Sequence, residues 1–364
     1  MSHLTGILVL DAPASALNNS GRDDESRTEN AVAVKFIRAP EGRFPYVSAQ
    51  AVRFWVRTQL AGRPGWTASP VFRETKVAYT DAEPTRYAED DLFGYMRAAS
   101  KSGDEKKAAR RAEIAERSTA VDAEVGEVTR ISPFRVGTLV STTAVRIVSD
   151  FGTMARAEGD PVPHEHQFYR AHLKAPFAID LSCAGTFFVS RRVGYKNLDG
   201  KRIESARAAG ATNAIVKGFE AWRLPLRERA RRVAMLVEEL GRIEGGAKQT
   251  LHLTDTAPSI LVLAVCKGGS QPFLRLFTEG ALKTTVFRQD VLEEALAVFR
   301  DELQSDVYIG WAKGFLDAER LKLEAYLRER DAQAAPKIVL CHPREAAGTF
   351  AGVLAQPAAG GWFD

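Results

Sequence analysis

The stretch Gly42–Leu60, GRFPYVSAQAVRFWVRTQL, decides how the rest of the chain is read. Pro45 ends an extended segment, and Ser48 stands where a helix N-cap belongs, its hydroxyl placed to accept from a free amide of the first turn. Val52, Trp55, Val56 and Leu60 then recur at three- and four-residue spacing, the apolar stripe of an amphipathic helix. Gln50, Arg53 and Arg57 keep that spacing on a neighbouring face. The helix offers a buried side, a row of long polar side chains, and an N-terminus whose amides favour an anion. Two arginines one turn apart beside such an N-terminus suit a phosphate backbone. The plain alternative is a surface helix with solvated arginines.

Upstream, Leu4–Leu10 (LTGILVL) reads as a core strand. The polar run ASALNNSGRDDESRTEN follows, with Asn18, Asn19 and Gly21 as turn residues. Ala31–Ile37 reads as a second strand whose alternation turns Lys35 away from Val32, Val34 and Phe36. Downstream, Gly, Pro and Thr break the chain from Gly62 to Glu89, as expected of irregular surface structure. Ala88–Ala99 is a short helix or turn exposing Phe93, Tyr95 and Met96, and the charged run Lys101–Glu127 reads as a solvated helix and loop. Ile131–Val148 has the β-branched density of two strands, Gly152–Pro163 reads as a loop, and Gln167–Ser190 holds another strand pair. Pro225–Leu240 is a well-marked helix, ended before Gly245-Gly246-Ala247-Lys248-Gln249. Ser259–Cys266 is a buried strand, two more helices span Asp290–Leu303 and Asp317–Arg330, and a loosely ordered tail is expected over 350–364. This order predicts an α+β sandwich, antiparallel strands with helices on one face.

Length allows one elaborated domain or two to three small ones, and 45% hydrophobic and 26% charged residues are the proportions of a soluble globular protein. The longest strongly apolar run, Ile260–Cys266, is too short to cross a bilayer, and the opening MSHLTGILVL has no secretory pattern. Cys183, Cys266 and Cys341 are widely spaced, so reduced thiols in a cytoplasmic protein are expected and a zinc module is not. A net charge of +4 permits a nucleic-acid partner without demanding one. His164-Glu165-His166 offers two metal ligands but no third at suitable spacing, and reads as a loop with solvated histidines. No P-loop, dinucleotide fingerprint or nucleophile elbow is present. The basic run from Lys217 through Arg223, Arg227, Arg229 and Arg231 to Arg232 offers RNA, a neighbouring subunit, or solvent a charged flank.

The succession NNSGRDDESRTEN, a strand bearing Lys35, and YVSAQAVRFWVR resembles the N-terminal signature of the RAMP-type backbone subunits of type I CRISPR Cascade effector complexes. Gly246-Ala247-Lys248-Gln249 resembles their Gly-x-Lys-Gln loop, and Asp90–Met96 (DDLFGYM) and ISPFRVGTLVSTTAVRIV look like further family elements. The pattern is similar above all to the DevR-like subunits of subtype I-B. The resemblance implies one elaborated RRM-like (ferredoxin-like) palm, with inserted fingers over 62–130 and a β-hairpin thumb over 137–170. It implies a filament of copies along a guide RNA (crRNA), held with other Cascade subunits, the guide left free to pair with target DNA. Asn18, Asn19, Arg22, Lys35, Ser48, Gln50, Arg53, Arg57, Lys248 and Gln249 would then contact RNA backbone, with Phe93 or Met96 as a base wedge. No catalysis, cofactor, metal or membrane partner is expected. The competing expectation is a metal-dependent ribonuclease subunit, as in the related type III complexes, using Asp23 or Asp24.

Overall fold

Strand β1, Ser2–Ser15, is buried on both faces over most of its length, which is why it reads as an apolar run rather than an alternation. The computed structural model describes residues 1–22, 30–73, 78–97, 128–154, 160, 162–190, 192, 194–331 and 333–364. Asp23, Asp24 and the charged run from residue 101 to 127 lie outside the described residues. β1 pairs antiparallel with Val162–Asp180 on one side and Ile260–Lys267 on the other. Val162–Asp180 also pairs with Phe134–Val136 and Leu139–Ser141. Helix α1, Ala49–Ala61, lies in sequence between the first and second of these core strands, and the helix Leu226–Leu240 between the third and last. The sheet therefore runs last, first, third, second, each neighbour antiparallel, in a β-α-β-β-α-β order. This is the expected α+β fold of RRM-like kind.

Leu4, Leu8 and Leu10 face the α1 stripe of Val52, Trp55, Val56 and Leu60 and the stripe Val233, Leu236, Val237 and Leu240. Each fully buried side chain of this size contributes roughly 1.5–3 kcal/mol. Helices were expected on one face only, but Ile7 and Val9 enter a second core with Phe277, Phe287, Leu292, Trp311 and Leu323. That core is closed by the helices Gln289–Val298 and Asp317–Glu329 and by a small hairpin. The apolar residues on both sides of β1 require it.

Other expectations give way locally. Ala31–Ile37 is two strands, β3 (Ala31–Val34) and β4 (Phe36–Ala39), parted at Lys35 because β3 joins β2 (Asn19–Arg22) while β4 joins β5 (Gly42–Val47). The interval after Gly62 is far from all surface. Asp81, Glu83, Thr85, Glu89, Asp90 and Asp91 are buried, the last at 0% exposure against Arg130 and Arg232. The tail is ordered: Pro343–Leu354 is a helix, Pro357–Phe363 a 3-10 turn, and Phe363 is fully buried. Its carbonyl accepts from Arg223 and Arg229, which pins the end of the chain. Gly152–Met154 and Val162–Pro163, expected as loop, are strand: Val148–Met154 pairs with Val162–Phe168 as an exposed hairpin.

Candidate nucleic-acid interface

Three polar motifs distant in sequence meet where β1 runs out. The Leu17 carbonyl accepts from the Ala247 amide at 3.0 Å, the Asn18 carbonyl from the Lys35 amide at 3.2 Å, and the Lys35 carbonyl from Tyr46, just before Ser48, at 3.1 Å. Ser15 and Thr254 hydroxyls share a buried bond of 2.7 Å that holds the same two segments together. The approach needs its glycines. A Cβ on Gly245 would stand 2.3 Å from Cγ of Trp55, and one on Gly246, at φ +101°, would stand 2.5 Å from Leu17. The Gly-Gly pair thus sets the Lys248–Gln249 turn against both α1 and the Asn18–Asn19 loop.

Groups at this junction are left unspent. Asn18 Nδ2 and Asn19 Oδ1 are buried and meet no partner among the described residues. Neither Lys35 nor Lys248 makes a side-chain hydrogen bond or ion pair among the described residues. Lys248 holds a left-handed conformation at φ +57°, at a cost of roughly 1–2 kcal/mol for a residue with a Cβ. Gln249 spends its amide on the Gly245 carbonyl, closing the turn. Arg22 extends β2 opposite Val32.

The α1 face is employed differently from expectation. Ser48 is the N-cap, its hydroxyl accepting from Ala51 at 3.4 Å. Arg53 is no free phosphate ligand. Its guanidinium donates to the carbonyls of Phe93 (2.7 Å) and Phe134 (2.5 Å) and to Ser132 (3.1 Å), and lies over both phenyl rings. Burial, with the neighbouring Arg57 charge, pulls its pKa below that of a free arginine. Arg57 pairs with buried Glu89 at 3.5 Å. Gln50 is exposed. Phe93 is a core residue at 7% exposure, edge-on to Phe134, and so no wedge, whereas Met96 is 70% exposed.

The basic flank is mostly structural rather than solvated. Arg229 and Arg232 are buried, Arg229 on the carbonyls of Leu181, Ser182 and Ala184, Arg232 on Asp91, Glu228 and two carbonyls. Lys217 reaches Asp180 at 3.3 Å, and Arg231 binds Glu228. Only Arg227 of the six is exposed on the helix. His164 and His166 sit on a strand, not in a loop, and His166 packs 5.7 Å from His252, ring centre to ring centre. Among the described residues no group of three or more His, Cys, Asp or Glu side chains is arranged to hold a metal.

Residues that sequence reading passed over lie beside the named ones. Phe54 is 56% exposed on α1, and its signal was present: it is the aromatic that falls off the apolar stripe. Glu89, the partner of Arg57, sits in a run of acidic residues whose burial no periodicity announces.

The class these features define is an α+β, ferredoxin-like palm with polar motifs gathered at one end of its sheet. No protein-family model and no curated protein sequence matches the chain. A solved chain described as "CRISPR RNA-guided surveillance complex, pre-nicking" is similar over 97% of this chain and 100% of its own, with 12% identity and a TM-score of 0.51. Another, described as "CRISPR RNA-guided surveillance complex", covers 96% and 99% with 11% identity and a TM-score of 0.49. At this identity the likeness is one of fold. No helix among the described residues is long and apolar enough to cross a membrane.

Proposed function

We propose that this chain is a non-catalytic guide-RNA-binding backbone subunit of a CRISPR surveillance complex, of the type I, subtype I-B-like kind. In this reading copies polymerise along a crRNA beside other Cascade subunits, and the guide is presented for pairing with target DNA. The observation that carries it is the junction at the end of β1, where Asn18-Asn19, Lys35 and Lys248-Gln249 converge and where, among the described residues, the two lysine side chains and the buried Asn18 Nδ2 and Asn19 Oδ1 meet no partner. Lysine charge and amide hydrogen bonds address phosphate and ribose hydroxyl without reading a base, as a protein that must accept any guide requires. The fold shared with a surveillance-complex chain supports the same reading.

The test is nitrocellulose filter binding of single-stranded RNA across a salt series. Wild-type protein should bind cooperatively and leave the RNA intact in magnesium. Lys35→Ala with Lys248→Ala should weaken binding about equally for every sequence and lower the salt slope by roughly one per lysine lost. An unchanged slope would remove the junction from the RNA path, and magnesium-dependent cleavage would favour the nuclease reading.

A further inference from the structure

The root of the exposed hairpin carries a row of ring side chains that reaches back to the junction. His164, His166 and Phe168 alternate along one face of their strand, their ring centres 6.4 and 6.3 Å apart in turn. A Cβ on Gly152 would stand 2.7 Å from the His164 ring, so glycine opposite it lets that imidazole lie across the ribbon. His252 closes the row from another segment, its ring centre 5.7 Å from that of His166 and 5.6 Å from that of Phe168. It ends the short turn that begins at Lys248. Both Lys248 and Leu253 beside it hold left-handed conformations, at φ +57° and +44°. Pairing of His166 with Val32, and of Val32 with Arg22, puts Arg22 on the same face.

The charges around the two imidazoles favour an anion. Lys248 and Arg22 flank them. Asp150 faces His166 Nε2 at 3.7 Å, beyond hydrogen-bond length and with its side chain 60% exposed, while Glu165 points to the opposite face. Neither nitrogen of half-buried His252 makes a hydrogen bond among the described residues, and Nε2 is also closed off from solvent. Burial, then the charges of His166 and Lys248, hold the His252 pKa below the ordinary 6.5 against the pull of Asp150. Near neutral pH the free protein therefore keeps this ring uncharged. A phosphodiester seated against Lys248 and the rings raises their pKa and accepts their N–H bonds. We infer that a histidine pair, His166 and His252, holds the RNA backbone at the hairpin root and takes up a proton as a guide phosphate binds. The inference rests on the RNA-binding reading above and adds a proton-linked contact to it. An imidazolium donates to the phosphate of any nucleotide, so the contact recurs in every copy without choosing a base. Because the bound state holds more protons than the free one, affinity rises as pH falls.

The experiment measures fluorescence anisotropy of a labelled oligouridylate without terminal phosphate, on full-length protein at constant ionic strength. Uracil and phosphodiesters keep their charge between about pH 7.5 and 6, where histidine is the side chain that titrates. Affinity should rise roughly tenfold from about pH 7.5 to 6, and the salt slope should steepen by roughly one. His166→Gln with His252→Gln, checked for folding by circular dichroism, should show no such rise. His342→Asn, at the exposed cap of the tail helix, should keep it. Calorimetry of the wild-type protein in two buffers of different ionisation enthalpy reads the same event without a variant. Roughly half a proton or more should be taken up per bound copy at about pH 6.5. A flat pH profile, zero proton uptake, or a rise that survives in the double variant overturns the inference while leaving backbone binding standing. Affinity that falls on acidification also overturns it, and shows that charging the rings parts the hairpin from the Lys248 turn. Failure to bind at any pH overturns the RNA reading itself and the inference with it.

Discussion

Arg53 shows how one side chain can be claimed by the fold. It sits one turn into α1, on the face that would address a phosphate, yet three acceptors from residues 93, 132 and 134 take its guanidinium. A planar donor with five N–H groups is suited to such a junction; the Phe134 carbonyl also accepts from the Ser132 hydroxyl, so loss of the guanidinium leaves the Phe93 carbonyl without its donor, at about 1–3 kcal/mol. Arg53→Ala should therefore lower the unfolding free energy read from urea melts by that amount, while the salt slope of RNA binding stays at the wild-type value. A reduced slope with undiminished stability would return Arg53 to the RNA path. Arg57, at 40% side-chain exposure and only 3.5 Å from Glu89, is the looser of the two and the one able to turn toward a ligand.

At the scale of elements, two connections position the site. The turn Gly245–Gln249 is wedged between Trp55 and Leu17, with no room for a methyl group at either glycine. Gly245→Ala should cost about 1–3 kcal/mol by overpacking and should weaken RNA binding beyond that, because it lifts Lys248 away from Asn18 and Lys35. Thermal melts and filter binding on the same preparation check both parts, and full affinity in a destabilised variant would detach the turn from the interface. The hairpin Val148–Met154 with Val162–Phe168 is the opposite kind of element. Phe151 and Met154 are 60% and 59% exposed, so its outer half contributes little to this chain's own core. Replacing Gly152–Pro163 by a short Gly-Ser turn should leave a folded monomer and abolish ordered assembly on a guide. Full-length filaments of the shortened protein under electron microscopy would take the hairpin out of that role.

The whole molecule carries its ionisable groups in two opposed states, and pH should resolve them. Burial pushes the pKa of His3, His172 and His252 below the ordinary histidine value of 6.5. The unfolded chain then binds more protons than the folded one, so this part of the stability is present above about pH 6.5 and is lost as pH falls below it. Burial alone would raise Asp180 and Glu228, but Lys217 and Ser182 hold Asp180 at about 2, and Arg231 and Arg232 hold Glu228 at about 2. Their contribution is present above the unfolded carboxylate range and is lost as pH falls from about 4 toward 2. Urea melts at about pH 8, 5 and 3 should show two successive losses, the second removed by Asp180→Asn with Glu228→Gln. A stability that stays flat from about pH 8 to 5 would contradict the histidine part.

The amino-acid sequence alone determined the elements whose signal is local. Ser48 capped α1 where an N-cap residue followed by an apolar stripe required it, and the helix Leu226–Leu240 and strand Ile260–Lys267 fall within a residue or two of expectation. The α+β class followed, because period and turn chemistry are properties of short windows. The resemblance named residues at the junction, but it did not bring them together: the contact of Leu17 with Ala247 and of Asn18 with Lys35 exists only once β1 is paired on both sides. Which arginine is free was equally out of reach. Arg53, Arg229 and Arg232 read as basic residues in sequence and are buried or tied in the fold, because their acceptors are backbone carbonyls of distant segments, and a carbonyl leaves no mark in the amino-acid order. The ordered tail has the same cause. Small residues and glycine suggest a loose end, and only the arrival of Arg223 and Arg229 at the Phe363 carbonyl makes it part of the core.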